Sequence, residues 1–139
     1  MKEVLRDVVV EVDGTDLSDH FTQVTVEDSA NEVDSTAFGS VYTQAMKGMR
    51  TCQITGTVQQ DFAAASVHSV LNDLNNQDTP FEVLVTPRSA AVSATNPQFR
   101  LAESQLLGYM PLSGGVGDLS TTDVTFTNAG DTGIEVLTA

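Results

Sequence analysis

Residues 51–59 alternate between two kinds of side chain more strictly than any other part of the chain. A period of two residues is that of a β-strand, whose successive side chains point to opposite faces. The face formed by Thr and Gln is uncharged, so it is predicted to lie against water or a polar surface. Gly56 predicts a bulge or a close neighbour on the other, inward face. The inward positions are Cys52, Ile54, Gly56 and Val58.

Weaker alternation predicts further strands on both sides of this one. Turn residues separate them, as Asp13-Gly14 does after the first strand. Residues 29–32 are interpreted as a turn between the second strand and a short third strand that begins at Val33. The predicted strands are 8–12, 21–27, 33–37, 50–59, 81–86, 99–109 and 121–126.

A helical period occurs only in residues 62–75. Their apolar positions fall at i, i+3, i+4 and i+7, which places on one face Val67, Val70, Leu71 and Leu74. Asp61 is predicted to cap the helix N-terminus, and the sequence NNQDTP ends the helix. Such an apolar stripe must lie on a sheet to be buried.

Together these elements predict a mainly β fold, either an antiparallel β-sandwich or a partly closed β-barrel, with one flanking α-helix at about 62–75. The length of 139 residues suits one domain with a core of ordinary size. We therefore expect residues 1–127 to form a single β-rich assembly domain with a long loop at 36–49. Residues 128–139 form a C-terminal tail, and their imperfect alternation leaves open a free end or a short added strand.

The stretch Thr36–Met49, TAFGSVYTQAMKGM, interrupts the strand pattern. In a chain with formal net charge -13, residues 35–60 contain no Asp or Glu, yet they include Lys47 and Arg50. Loops of this length in compact domains tend to be functional or disordered. We interpret it as an assembly arm by which one subunit grips another; the alternative is a mobile solvated loop. The candidate interface residues are Phe38, Val41, Tyr42, Met46, Lys47, Met49 and Arg50.

The sequence offers no set of residues for catalysis or for a metal. Its two histidines, His20 and His68, are far apart in sequence, and its one cysteine, Cys52, lies on an inward strand face. A nucleophile with a base and an orienting group is therefore not expected. Three aspartates in the first turn, at positions 13, 16 and 19, miss the calcium-loop spacing and suit turn chemistry better. No enzyme activity, cofactor or small-molecule substrate is predicted.

Charge and hydropathy exclude two further classes of partner. A sequence pI near 4.1 argues against gripping nucleic acid phosphates with cationic side chains. The glycine-rich loop 111–121 matches no phosphate-binding motif and precedes a strand, not a helix. No apolar run approaches the roughly 20 residues of a membrane helix. Charges also interrupt the N-terminal stretch, so no secretory signal is expected.

Four segments of the sequence resemble the major tail (tail tube) proteins of long-tailed bacteriophages that infect actinobacteria. They cover most of the chain between Val8 and Phe126. The segments are VEVDGTDLSDHFTQVTVEDSANEVDSTAFG, QITGTVQQDFAAASVHSVL, FEVLVTPRSAAVSATNPQFR and PLSGGVGDLSTTDVTF. The resemblance implies a β-sandwich with a flanking helix, and subunits arranged as hexameric rings that stack into a tube.

The same resemblance implies a location and partners. Double-stranded DNA would pass through the tube without specific binding, and other virion tail or head-tail proteins would contact it. The protein would be assembled in the host cytoplasm and reside in the virion tail. A long loop after the early strands reaches the neighbouring ring in this family, and Thr36–Met49 occupies the corresponding place here.

Two other interpretations of the function stay open at the level of sequence. A capsid decoration or minor capsid protein is also a β-rich oligomer. A β-sandwich module that binds a receptor or a carbohydrate belongs to a different class. Trp is absent and aromatic residues make up only 6% of the chain, which leaves few ring faces for stacking on sugars.

Overall fold

The computed structural model describes residues 2–139, and most of its regular structure is β. The elements are β1 Val9–Val12, β2 Thr15–Asp16, β3 Phe21–Asp34, β4 Ala45–Gln59, α1 Val67–Asn75, β5 Phe81–Thr86, β6 Gln98–Leu106, β7 Thr121–Asn128 and β8 Ile134–Leu137. A single turn of 3-10 helix, Ser18–His20, joins β2 to β3. The predicted fold class, mainly β and antiparallel with one helix, is confirmed.

The strands form one antiparallel sheet in the order β2-β1-β5-β6-β7-β4-β3, and the sheet is not closed into a barrel. β6 lies in the middle of the sheet and joins the two halves of the sheet. One edge of β6 pairs with β5, while the other pairs first with β8 and then with β7. The C-terminal tail therefore contains a short added strand, β8, and Ile134 of this strand packs against the core.

The core lies where α1 packs against the inward face of the sheet. The inward face of β4 is the one that the alternation predicts, with Cys52, Ile54 and Val58 buried. Burial raises the pKa of the Cys52 thiol, and the nearby Asp28 carboxylate adds to this shift. The predicted helical stripe also reaches the core, through Val67, Leu71 and Leu74.

Two tight positions show how the local sequence sets the backbone. At Asp13-Gly14 both residues have positive φ, 50° and 79°, which confirms the turn predicted after the first strand. At Gly56 a Cβ atom would lie 2.6 Å from Phe21 Cε1, so the predicted close neighbour is the Phe21 ring. An extra residue in β3 at Thr22 shifts the register beside this contact.

The helix starts later than predicted. It begins at Val67 and not near residue 62, because Ala65 has a left-handed backbone conformation with φ 58°. Asp61 does not cap the helix. Its carboxylate instead accepts hydrogen bonds from Ala63 N at 2.9 Å and Ser66 Oγ at 2.8 Å, and so caps the turn that precedes the helix.

The second strand is longer than predicted, and the turn expected at 29–32 is wrong. β3 continues through these residues because each side of the hairpin supplies the other with hydrogen bonds, up to the pair Asp34 and Ala45. The predicted loop at 36–49 is correspondingly shorter. Its last five positions, 45–49, belong to β4.

Candidate assembly interface

The far half of the β3–β4 hairpin extends beyond the rest of the sheet. β4 pairs with β7 only between Gln53 and Gln59, so residues 45–51 have β3 as their one partner strand within residues 2–139. β3 lies at the edge of the sheet. We call residues 29–51 the arm. Its paired part is roughly 20 Å long at 3.3 Å per residue, and a two-stranded hairpin of this kind is at best marginally stable alone in water.

A bulge bends the arm near its middle. Between the pairs Ala30–Arg50 and Glu32–Lys47, β4 contains one more residue than β3. Gly48 lies in this bulge, and a Cβ atom there would approach Val33 Cγ2 to 2.8 Å. A larger residue at this position would have to displace the Val33 side chain, and its Cβ atom would lie 3.2 Å from Asn31 O.

The tip of the arm, residues 35–44, is held by its own hydrogen bonds. Ser35 N donates to Gln44 O at 3.0 Å, and Gln44 N donates to Thr36 Oγ1 at 2.8 Å. Thr36 N also donates to Asp34 Oδ1 at 2.9 Å, which lowers the pKa of that carboxyl. Gly39 turns the chain with φ 88°. The tip is thus a shaped loop that presents its side chains outward.

The arm exposes six large apolar side chains among its polar residues. Tyr42 and Met49 are each 83% exposed, and Phe38 is fully exposed. Val33 lies opposite Met46 across the two strands, so these two share one face. Several exposed large apolar side chains in one segment make that segment a candidate interaction site. The exposed apolar residues of the arm are Val33, Phe38, Val41, Tyr42, Met46 and Met49.

The two basic candidates already face acidic residues of β3. Arg50 Nη2 donates to Asp28 Oδ2 at 2.9 Å, and Lys47 lies opposite Glu32. The acid-free stretch is therefore not an isolated positive surface, because β3 places its carboxylates beside it. Counting back from the tip as a hairpin would have placed Lys47 opposite Glu32, but the bulge breaks that count before Arg50.

A second exposed apolar segment lies at the other end of β4. We call residues 107–120, which connect β6 to β7, the apolar loop. Gln60, just after β4, holds this loop by donating from Nε2 to Tyr109 Oη at 2.8 Å and to Pro111 O at 2.7 Å. Thr122 Oγ1 donates to Met110 O at 2.7 Å. The exposed large apolar side chains of this loop are Leu107, Met110, Leu112, Val116 and Leu119.

Sequence reasoning considered this loop only for its glycines and missed its exposed apolar side chains. The available signal is the absence of charge, since residues 104–117 contain no Asp, Glu, Lys or Arg.

The titratable residues that sequence reasoning considered for a site serve local contacts. His20 Nε2 lies 3.2 Å from Asp61 Oδ2, and His68 Nδ1 lies 3.0 Å from Tyr109 Oη. Asp16 accepts hydrogen bonds from the backbone and hydroxyl of Ser18. Among residues 2–139, no three His, Cys, Asp or Glu side chains are placed to share a metal ion. In the same range, no helix has the length and apolar character needed to cross a bilayer.

Sequence comparisons identify no relative. No model of a known protein family matches the chain, and a search of curated proteins finds no match.

Solved structures with a similar fold cover nearly the whole chain. One is a chain in the tail of an empty gene transfer agent particle with C6 symmetry, at TM-score 0.67 and 15% identity, covering 99% of this chain and 100% of that chain. Another belongs to the extended sheath-tube complex of an extracellular contractile injection system, at TM-score 0.69 and 12% identity, covering 96% and 89%. A third comes from the sheath/tube terminator of such a system, at TM-score 0.72 and 11% identity, covering 98% and 96%. The chain therefore has a fold that also occurs in these tail and sheath-tube assemblies.

Proposed function

We propose that this chain is a structural protein of a phage tail tube, in which copies form hexameric rings and the rings stack. The observation that carries the proposal is the arm. It lacks a second partner strand on either edge within residues 2–139 and exposes six large apolar side chains, from Val33 to Met49. A surface of this kind is stabilised when another chain covers it.

The shape of the chain suits repeated assembly. Its two exposed apolar segments, the arm and the apolar loop, are different surfaces at different ends of β4. Contacts between unlike surfaces close into a ring or continue as an open stack, depending on the rotation between copies. The C6 symmetry of the similar gene transfer agent tail supports six copies in each ring.

Charge is consistent with a conduit for DNA. The formal net charge of -13 repels phosphates, so acidic side chains on the inside of a tube would keep double-stranded DNA from sticking. On this proposal the protein acts in the virion tail of a long-tailed phage after assembly in the host cytoplasm. It has no catalytic role, and its partners are its own copies and other tail or head-tail proteins.

The fold comparisons favour a tube over the alternatives from sequence. The three similar chains described above come from a tail and from the sheath-tube and terminator of contractile injection systems.

Purified protein tests the proposal when it is followed by light scattering and electron microscopy over a range of concentrations. Hollow rings or tubes are the expected result. A monomer at every concentration would contradict it, as would a product that binds capsids and forms no tube.

A further inference from the structure

We propose that the tip of the arm docks on the apolar loop of a second copy of this chain. The inference rests on the proposed function, because it names the surface that the arm grips when copies assemble. The contact would join the tip of one copy, with Ala45 and Met46 beside it, to residues 107–119 of the next. It would repeat without limit, since every copy carries both surfaces.

Charge selects these two segments from the rest of the surface. Residues 35–46 and 104–117 are the two longest runs of the sequence that lack Asp, Glu, Lys and Arg. Two copies that each carry a formal net charge of -13 repel one another wherever acidic surfaces approach within a Debye length of about 8 Å. Contact between the tip and the apolar loop, in which Asp118 is the one charged residue, avoids most of the closest of these repulsions and buries apolar side chains.

The position of the segments requires a contact between different copies. β4 begins at Ala45 beside the tip and ends at Gln59, and the next residue, Gln60, holds the apolar loop. A strand of this length spans roughly 45–50 Å at 3.3 Å per residue. The tip cannot fold back over that distance onto its own loop, because hydrogen bonds fix it at the far end of the arm.

The side chains of the two segments differ in a complementary way. The tip offers two exposed aromatic rings, Phe38 and Tyr42, on a loop shaped by hydrogen bonds. The apolar loop offers aliphatic side chains, including Leu112, Val116 and Leu119, between glycines that allow close approach of the backbone. Large aromatic residues that enter an aliphatic surface are typical anchors of protein interfaces.

A groove near the N-terminus is the competing acceptor. It has a volume of about 260 Å³ and is lined in part by Leu5, Val8, Phe21 and Val24. It is a weaker candidate because Arg6 also lines it, whereas the tip carries no acidic residue to pair with that charge.

Disulfide cross-linking between two single variants tests the contact. Tyr42→Cys and Leu112→Cys are mixed, allowed to assemble and then oxidised. The native Cys52 is buried, and oxidised wild type measures any cross-linking that it contributes. A linked dimer is expected in the mixture and not in either variant alone. Phe38→Cys with Val116→Cys is a second pair in case one variant of the first fails to fold. Asn75→Cys, exposed on α1, replaces the loop partner as the matched control.

Electron microscopy of the same samples distinguishes failure of the proposed contact from failure of the proposed tube function. Tubes with linked dimers from either loop pair support the contact. Tubes in which neither loop pair links, or in which Tyr42→Cys links to Leu5→Cys in the groove instead, overturn the contact and leave the tube function standing. Absence of rings and tubes in wild type overturns the function on which the inference rests.

Discussion

At the scale of single residues, glycines decide where two parts of the chain cross closely. Gly56 is buried on the inward face of β4, with the Phe21 ring over it and Gln23 O nearby. An added Cβ would lie 2.6 Å from Phe21 Cε1 and 2.9 Å from Gln23 O. The second of these atoms belongs to the backbone, so a rotation of one side chain does not relieve the clash.

Gly56→Ala is therefore expected to lower the free energy of unfolding by about 1–3 kcal/mol, as overpacked core substitutions do. Chemical denaturation of the unassembled protein measures this change. Gly108→Ala is the matched control, because an added Cβ there meets nothing within 4 Å, and its effect should stay within about 0.5 kcal/mol. Equal stability of the two variants would contradict this expectation and would show that β3 can move away from β4 without a loss of stability.

The carboxylate of Asp61 links stability to pH. Its pKa lies below the usual value chiefly because Ala63 N donates to it, with further hydrogen bonds from Ser66 and His20. A pKa that is lower in the folded than in the unfolded state gives stability above the unfolded value. That stability is lost as the pH falls through the folded value.

Asp61→Asn should therefore destabilise the protein more at about pH 7 than at about pH 2, because the stabilisation by the wild-type carboxylate declines as the pH falls below the unfolded Asp value of about 3.9 and through the lower folded value. The difference in free energy of unfolding between wild type and variant, measured by denaturation at both pH values, checks this. A difference that is independent of pH would mean that the loss of stability comes from a changed hydrogen-bond geometry and not from the loss of the charge.

At the scale of elements, the sequence pattern predicts those strands that have a buried face. The alternation from Cys52 to Val58 exists because one face of β4 packs on the core. The far half of β3, up to Asp34, buries nothing, so its sequence has no apolar face to reveal a strand. The same reasoning explains why residues 45–49 resemble a loop in sequence although they form strand.

The exposure of the apolar candidate residues was predictable for a related reason, since large apolar side chains are conspicuous in a polar loop. All five apolar candidates are at least half exposed on the arm: Phe38, Val41, Tyr42, Met46 and Met49. The pairing of Arg50 with Asp28 was not predictable without the hairpin register. The five residues remain proposed contacts until assembly is measured.

Replacement of residues 36–43 by Asn-Gly tests the arm as an element. Ser35 and Gln44 already share a hydrogen bond of 3.0 Å, and Asn-Gly favours a tight hairpin turn that keeps this pair together. The shortened chain should fold with stability within about 1 kcal/mol of wild type, because the tip contributes nothing to the core. It should not assemble. Circular dichroism and analytical ultracentrifugation measure the two properties.

A matched control for this change replaces the exposed polar residues Asn75 and Asn76 at the end of α1 by Ala, which should leave assembly unchanged. Assembly of the shortened chain at the wild-type concentration would contradict the role of the tip. Loss of folding in the shortened chain would contradict the independence of the tip from the core.

At the scale of the whole molecule, assembly must overcome repulsion between acidic copies. Each chain has a formal net charge of -13, and screening by salt shortens the range of that repulsion. Raising the ionic strength from about 0.02 M to about 0.5 M shortens the Debye length several-fold and should lower the concentration at which assembly begins. Sedimentation at each salt concentration measures that threshold. A threshold that rises with salt would instead mean that ion pairs between copies hold the assembly together.

The measurement that tests the central claim most directly is electron microscopy of the purified wild type beside the chain with residues 36–43 replaced. The account predicts hollow tubes of stacked rings from wild type, and folded subunits without tubes from the variant. Tubes of the same form from both proteins would contradict the role of the arm, and the absence of any tube from wild type would contradict the proposed function.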